Sequence, residues 1–147
     1  MSRTDVLDPE VARALSALSA AAKRGLGDPA LAELVVVRAS QLNHCAFCLD
    51  MHLTIARELD VSAQQLDLLA AWEEAEGVFD ERERAALALT EAVTVLTDGR
   101  VPDEVYERAA KHFDDRELAH LIGLVVAINN WNRVMVGRRI PPGGYQP

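Results

Sequence analysis

The same helix-opening signal recurs five times along this chain, and no run of alternating apolar and polar residues competes with it. Asp8-Pro9 and Asp28-Pro29 each place an N-cap carboxylate before a proline, whose fixed φ and missing N–H suit the first helical position. Ser62 with Gln65, Asp80 with Glu83 and Asp114 with Glu117 have the spacing of capping boxes. Pro102 opens one further segment. The apolar spacing behind these starts is helical, as in Ala85, Leu89, Val93 and Leu96. The chain is therefore expected to be all-α, a single-domain bundle of about six or seven helices.

Expected boundaries follow from the stop signals. The first helix ends near Gly25, the second near Leu42, and the third runs from about Cys45 to Leu59. The fourth ends before Gly77, the fifth at Asp98-Gly99, the sixth near Phe113 and the seventh near Gly137. Val35 to Val37 is β-branched, but its Ala- and Leu-rich setting after Asp28-Pro29 favours a buried helix. Pro141-Pro142-Gly143-Gly144 cannot continue a helix and is expected to lie extended. No linker divides the 147 residues, a length that suits one core.

Charge narrows the function. A net charge of −8 argues against nucleic acid, which needs clustered Lys and Arg, and against an anionic membrane surface. Met1 to Glu10 lacks the apolar stretch of a secretory signal. The longest nearly apolar run, Leu118 to Ile128, is too short to span a bilayer. A soluble cytoplasmic protein is expected, and in a reducing cytosol two cysteines point to redox or metal chemistry rather than a structural staple.

Those two cysteines are Cys45 and Cys48, followed by His52. At 100° per residue Cys48 lies about 60° from Cys45 and His52 about 20° from it, so all three share one helical face. Ile55, Ala56 and Leu59 continue that face, while Asp50, Thr54, Arg57 and Glu58 take the opposite one. The thiols should therefore point inward or into a cleft. A helix N-terminus favours thiolate over thiol. His52, one turn after Cys48, can share its proton. A second thiol three residues away can resolve a sulfenic acid to a disulfide before it over-oxidises.

Two other readings stand beside this one. Free cysteines are commonly small buried hydrophobes, although two cysteines placed at random would fall at this spacing only about once in seventy trials. A Cys2His site could also bind zinc, with His44 as a candidate fourth ligand.

From Glu33-Leu34-Val35 through Arg38-Ala39-Ser40-Gln41 to Cys45-Ala46-Phe47-Cys48-Leu49-Asp50-Met51-His52, the sequence resembles the AhpD-like alkylhydroperoxidase group of the carboxymuconolactone decarboxylase superfamily. Weaker echoes are Leu69 to Trp72, Glu81 to Leu87 and Ile128 to Arg133. The resemblance implies a relay of Glu33, Cys45, Cys48 and His52. In it Cys48 attacks the peroxide, Cys45 resolves the sulfenic acid, and His52 linked to Glu33 manages protons.

The same resemblance implies a hydroperoxide substrate, an external dithiol or protein reductant, no bound cofactor or metal, and a homo-oligomer (trimer or hexamer). Two departures stand out: some relatives carry a histidine between the cysteines, where this chain has Ala46-Phe47, and relatives with decarboxylase activity lack the cysteine pair. A redox-sensing module using the same pair without turnover is the alternative function.

Glu33 by itself reads either as a first-turn carboxylate facing the helix dipole, the commoner case, or as a carboxylate held against a partner in the core. Glu91 reads as one polar residue on a solvent-facing stripe, the commoner case, or as a buried relay member or interface group, and His120 as a satisfied core or interface histidine. His112 suits a helix C-terminus. Asn129 to Arg133 is expected to hydrogen-bond between helices or subunits, with a pocket role as the alternative, and Trp72 to belong to the core or a pocket wall.

Overall fold

A computed structural model describes Arg3 and residues 7–145. Seven α-helices and no strand occur among the described residues. They are α1 (Pro9–Leu26), α2 (Pro29–Leu42), α3 (Ala46–Glu58), α4 (Ala63–Leu68), α5 (Glu81–Thr94), α6 (Asp103–Ala110) and α7 (Asp115–Arg138). Single 3₁₀ turns follow α4 (Leu69–Ala71) and α5 (Leu96–Asp98). No helix among the described residues is long and apolar enough to cross a membrane.

The caps follow the chemistry of the sequence. Asp8 accepts from the backbone N–H groups of Glu10 and Val11, and Asp28 from that of Leu31. Asp80/Glu83 and Asp114/Glu117 close reciprocal boxes. Ser62/Gln65 does not. Ser62 accepts from the Gln65 N–H, but the Gln65 amide turns away to Val78 O and Glu83 Oε2, tying α4 to the start of α5.

Five boundaries move from their expected places. Helix α4, expected to run to just before Gly77, ends at Leu68. Helix α1 passes through Gly25 and ends at Leu26, with Gly27 taking the left-handed conformation (φ 70°). Gly25 instead marks a close approach: a Cβ there would fall inside the His120 ring of α7. Helix α5 stops at Thr94, because Val95 leaves helical backbone (ψ 66°) within the β-branched run Val93-Thr94-Val95. Pro102 caps α6 from an extended conformation rather than standing inside it. That helix closes at Ala110, three residues before Phe113, and His112 lies just beyond its end.

Helix α2 is the centre of the molecule. Leu31, Ala32, Val35, Val36 and Ala39 face one apolar cluster, shared with α1, α5, α6 and α7. Leu34 and Val37 face a second, built with α3, α4 and the segment carrying Trp72 and Phe79. A helix gripped from both sides must be apolar nearly all round, which explains the unbroken Leu34 to Val37 run. Helix α1 packs along α7, and α3 packs against α2.

Candidate redox site

Helix α2 ends at Leu42 with Asn43 as its C-cap, and His44 adopts a left-handed backbone (φ 54°) that reverses the chain. Cys45 then caps α3, its backbone N–H donating to Ser40 O at 3.1 Å. Its sulfur accepts from the Cys48 N–H at 3.3 Å, so Cys45 stands at the positive end of the helix. Cys45 and Cys48 are joined as a disulfide, with Cα atoms 5.3 Å apart. Both are almost wholly buried, at 1% and 2% exposure. One turn on, His52 is 7% exposed.

Glu33 is where the local reading of the sequence and the structure part company. It is the fifth residue of α2, past the first turn, and only 2% exposed. Its two oxygens have separate partners. Oε2 lies 2.7 Å from His52 Nδ1, and Oε1 accepts from Lys23 Nζ at 2.6 Å. It is therefore a core carboxylate held by partners, not a dipole-facing one. Burial pushes its pKa up, but the hydrogen bond and charge of His52 and those of Lys23 outweigh burial and hold it below its ordinary value of 4.5. Glu33 is thus a carboxylate at neutral pH. An ionised carboxylate has no proton to give, so the His52 ring donates from Nδ1, and in the neutral ring Nε2 is the open position.

Cys48 and His52 line one cleft of about 530 Å³, from which Cys45 is absent. Phe47, Met51 and Ile55 of α3 form one wall, with Val36 of α2 beside them. Leu124, Ile128, Trp131 and Met135 of α7 form another. Helix α1 contributes Ser16, Ser19, Ala20 and Lys23, a strip at i, i+3, i+4 and i+7. The cleft is apolar apart from these hydroxyls, the ammonium, Cys48 and His52. It suits an organic molecule with a nonpolar body.

The structure thus gathers Glu33, Cys45, Cys48 and His52 into one cluster. His44 stays outside it, exposed in the turn. Among the described residues no group of three or more His, Cys, Asp or Glu is arranged to hold a metal ion. Lys23 and the α1 strip were not singled out from the sequence, although small residues at helical spacing ending in a lysine are visible there.

Glu91 also departs from expectation. It is partly buried and accepts from Arg38 Nε at 2.8 Å and from Trp72 Nε1 at 2.7 Å, joining three elements. Trp72 itself is core. His120 is satisfied by Arg116 O at 2.7 Å. Asn129 and Asn132 of α7 both accept from the Asn43 side chain at 2.9 Å. Asn132 donates to Ser40 Oγ at 3.0 Å, so this amide cluster bonds helix to helix within the chain. Trp131 Nε1 donates to Ser19 Oγ at 3.2 Å across the cleft.

Comparison with known proteins agrees with this architecture. The family model described as the carboxymuconolactone decarboxylase family matches residues 9–92. The uncharacterized protein YdfG of Bacillus subtilis is 40% identical over 104 residues, covering 71% of this chain and 70% of that protein. The uncharacterized protein YnjA of Escherichia coli is 34% identical over 122 residues, covering 83% of this chain and 66% of the other. A crystal structure from Agrobacterium tumefaciens, of a protein of unknown function proposed as the antioxidant defence protein AhpD, superposes with a TM-score of 0.88. It is 35% identical, and the match covers 94% of each chain. An uncharacterized peroxidase-related protein from Silicibacter sp. TM1040 shares the fold, with a TM-score of 0.76 at 23% identity, over 93% of this chain and 72% of that one. The chain belongs to the carboxymuconolactone decarboxylase family, in its AhpD-like group.

Proposed function

We propose that this protein is a thiol-dependent peroxidase, an alkylhydroperoxidase-like oxidoreductase that cycles Cys45 and Cys48 between dithiol and disulfide. The observation that supports it most is the placement of Cys48 beside His52 in one apolar cleft, with the ring backed by the ionised Glu33.

In the reduced enzyme His52 Nε2 takes the Cys48 thiol proton. The thiolate attacks the terminal oxygen of a hydroperoxide, the O–O bond breaks, and the departing alkoxide leaves as an alcohol with the His52 proton. Cys48 is then a sulfenic acid, oxidised by two electrons. The Cys45 sulfur attacks the Cys48 sulfur, the S–O bond breaks, water leaves and the disulfide closes. An external dithiol, small or protein-borne, restores both thiols and becomes a disulfide itself. Glu33 keeps the ring oriented and stabilises the imidazolium formed in the first step. No cofactor or metal takes part, and the working protein is a cytoplasmic homo-oligomer.

A second reading, a redox-sensing module, draws on the burial of both sulfurs, since a disulfide that a bulky reductant cannot touch is reduced slowly. One experiment separates the two: steady-state consumption of cumene hydroperoxide by the protein with excess dithiothreitol, beside Cys45→Ser and Cys48→Ser. Many turnovers in the wild type, lost in Cys48→Ser, are expected of the peroxidase. A single stoichiometric oxidation is expected of the sensor and would overturn the peroxidase reading.

A further inference from the structure

We propose that Lys23 is a positioning residue of this site, holding Glu33 by Oε1 so that Oε2 stays on His52 Nδ1 and the ring keeps its Nε2 for the cleft. The inference rests on the peroxidase reading for its purpose, but its geometry is independent of any substrate.

Glu33 has two oxygens and two partners, one for each. With Lys23 on Oε1, only Oε2 faces the histidine, and the carboxylate has no freedom to rotate away. Lys23 comes from α1, so the relay spans three helices. It is about one-third exposed, borders the cleft, and also borders a second recess on the far side of Glu33. An ammonium on a flexible stem can keep part of its hydration there while neutralising a buried carboxylate.

Other charged groups around α2 leave this job to Lys23. Arg24 of α1 shares the second recess but is exposed. Arg82 of α5 engages Asp28, before the first residue of α2, and Glu91 engages Arg38, five residues beyond Glu33. His52 is the group from α3.

The consequence is a sign that can be read. Without the ammonium, one of the two partners that offset burial is gone, and Glu33 holds a proton to higher pH than in the wild type. A protonated Glu33 can donate to Nδ1, which moves the ring proton to Nε2 and removes the base. Loss of that base moves the acid limb of Cys48 reactivity upward.

The test is the rate of iodoacetamide alkylation of Cys48 against pH, in a Cys45→Ser background that needs no peroxide. Lys23→Met is expected to move the acid limb up by about one pH unit or more, roughly a tenfold loss of rate on that limb. Lys23→Arg is expected to keep the limb in place. In a Glu33→Gln background Lys23→Met should add no further shift. A uniform fall in rate with an unmoved limb, or the same shift in the Glu33→Gln background, would overturn the proposal. If the limb moves as expected while the wild type fails to turn over hydroperoxide, the positioning role stands and the peroxidase reading falls.

Discussion

Helix α2 carries two buried polar sites about two turns apart, and they are built on opposite principles. Glu33 is a charge met by an ammonium and an imidazole, both of which line an open cleft. Ser40 belongs to a neutral cluster: it donates to Val36 O and accepts from Asn132, which accepts from Asn43, which also donates to Asn129. Asn129 in turn donates to Thr94 Oγ1 and Val125 O. Nothing in the second site titrates near neutral pH. The charged site has the means to move a proton. The neutral one fixes how α2, α7 and the Asn43-His44 turn meet, and so where Cys45 begins α3.

This contrast predicts a double dissociation. In Glu33→Gln, hydroperoxide turnover should fall on the order of a hundredfold or more, the scale of a disabled acid–base relay. Asn132→Ala should leave turnover per folded molecule within about twofold. Comparable losses in both variants would break the contrast.

The next effect is on stability and runs the other way. Asn132 is fully buried, and its removal strips Ser40 and Asn43 of a partner. Asn132→Ala should cost about 2–3 kcal/mol, read from the urea midpoint. A cost under about 0.5 kcal/mol would show that the cluster clamps nothing.

The pH dependence of stability sharpens the comparison further. The pKa of Glu33 is lower in the folded protein than its ordinary 4.5. Its stabilisation is therefore present above about pH 4.5 and is lost as pH falls through the lower folded value. Urea midpoints measured from pH 6 downward should decline less steeply in Glu33→Gln than in wild type. Asn132→Ala should keep the wild-type slope, because nothing it removes titrates there.

The smallest effect concerns the turn between the two sites. His44 is exposed with a positive φ, which strains a residue with a Cβ. His44→Gly should leave turnover unchanged and hold or raise stability by up to about 1 kcal/mol. A large loss of turnover would place His44 in the relay after all.

Most of the fold was legible because its signals are local. An Asp before a Pro, or a carboxylate three residues after a cap, completes its own hydrogen bonds within one turn, and the observed starts follow those signals. Helix ends were read less well because they depend on distant neighbours. Gly25 looks like a stop, but its missing Cβ serves the His120 ring almost a hundred residues away in the chain. Ser62 and Gln65 have the spacing of a capping box, yet Glu83 draws the Gln65 amide elsewhere.

The candidate site divides in the same way. Cys45, Cys48 and His52 lie within eight residues, so helical periodicity alone puts them on one face. Glu33 came from family resemblance, while its local sequence pointed to the helix dipole. The partners that make it a core carboxylate sit on α1 and α3, and periodicity within α2 says nothing of them. Lys23 was missed for that reason, and Glu91 was misread as solvent-facing because Arg38 and Trp72 reach it only in the fold.

The central claim is that Cys48, in the cleft with His52, takes the oxygen from the peroxide. The most direct measurement is mass spectrometry of Cys45→Ser protein treated with one equivalent of cumene hydroperoxide in the presence of dimedone, a sulfenic-acid trap. The account predicts a dimedone adduct on Cys48 at near-stoichiometric yield. An unmodified Cys48 thiol, with the hydroperoxide unconsumed, would contradict it.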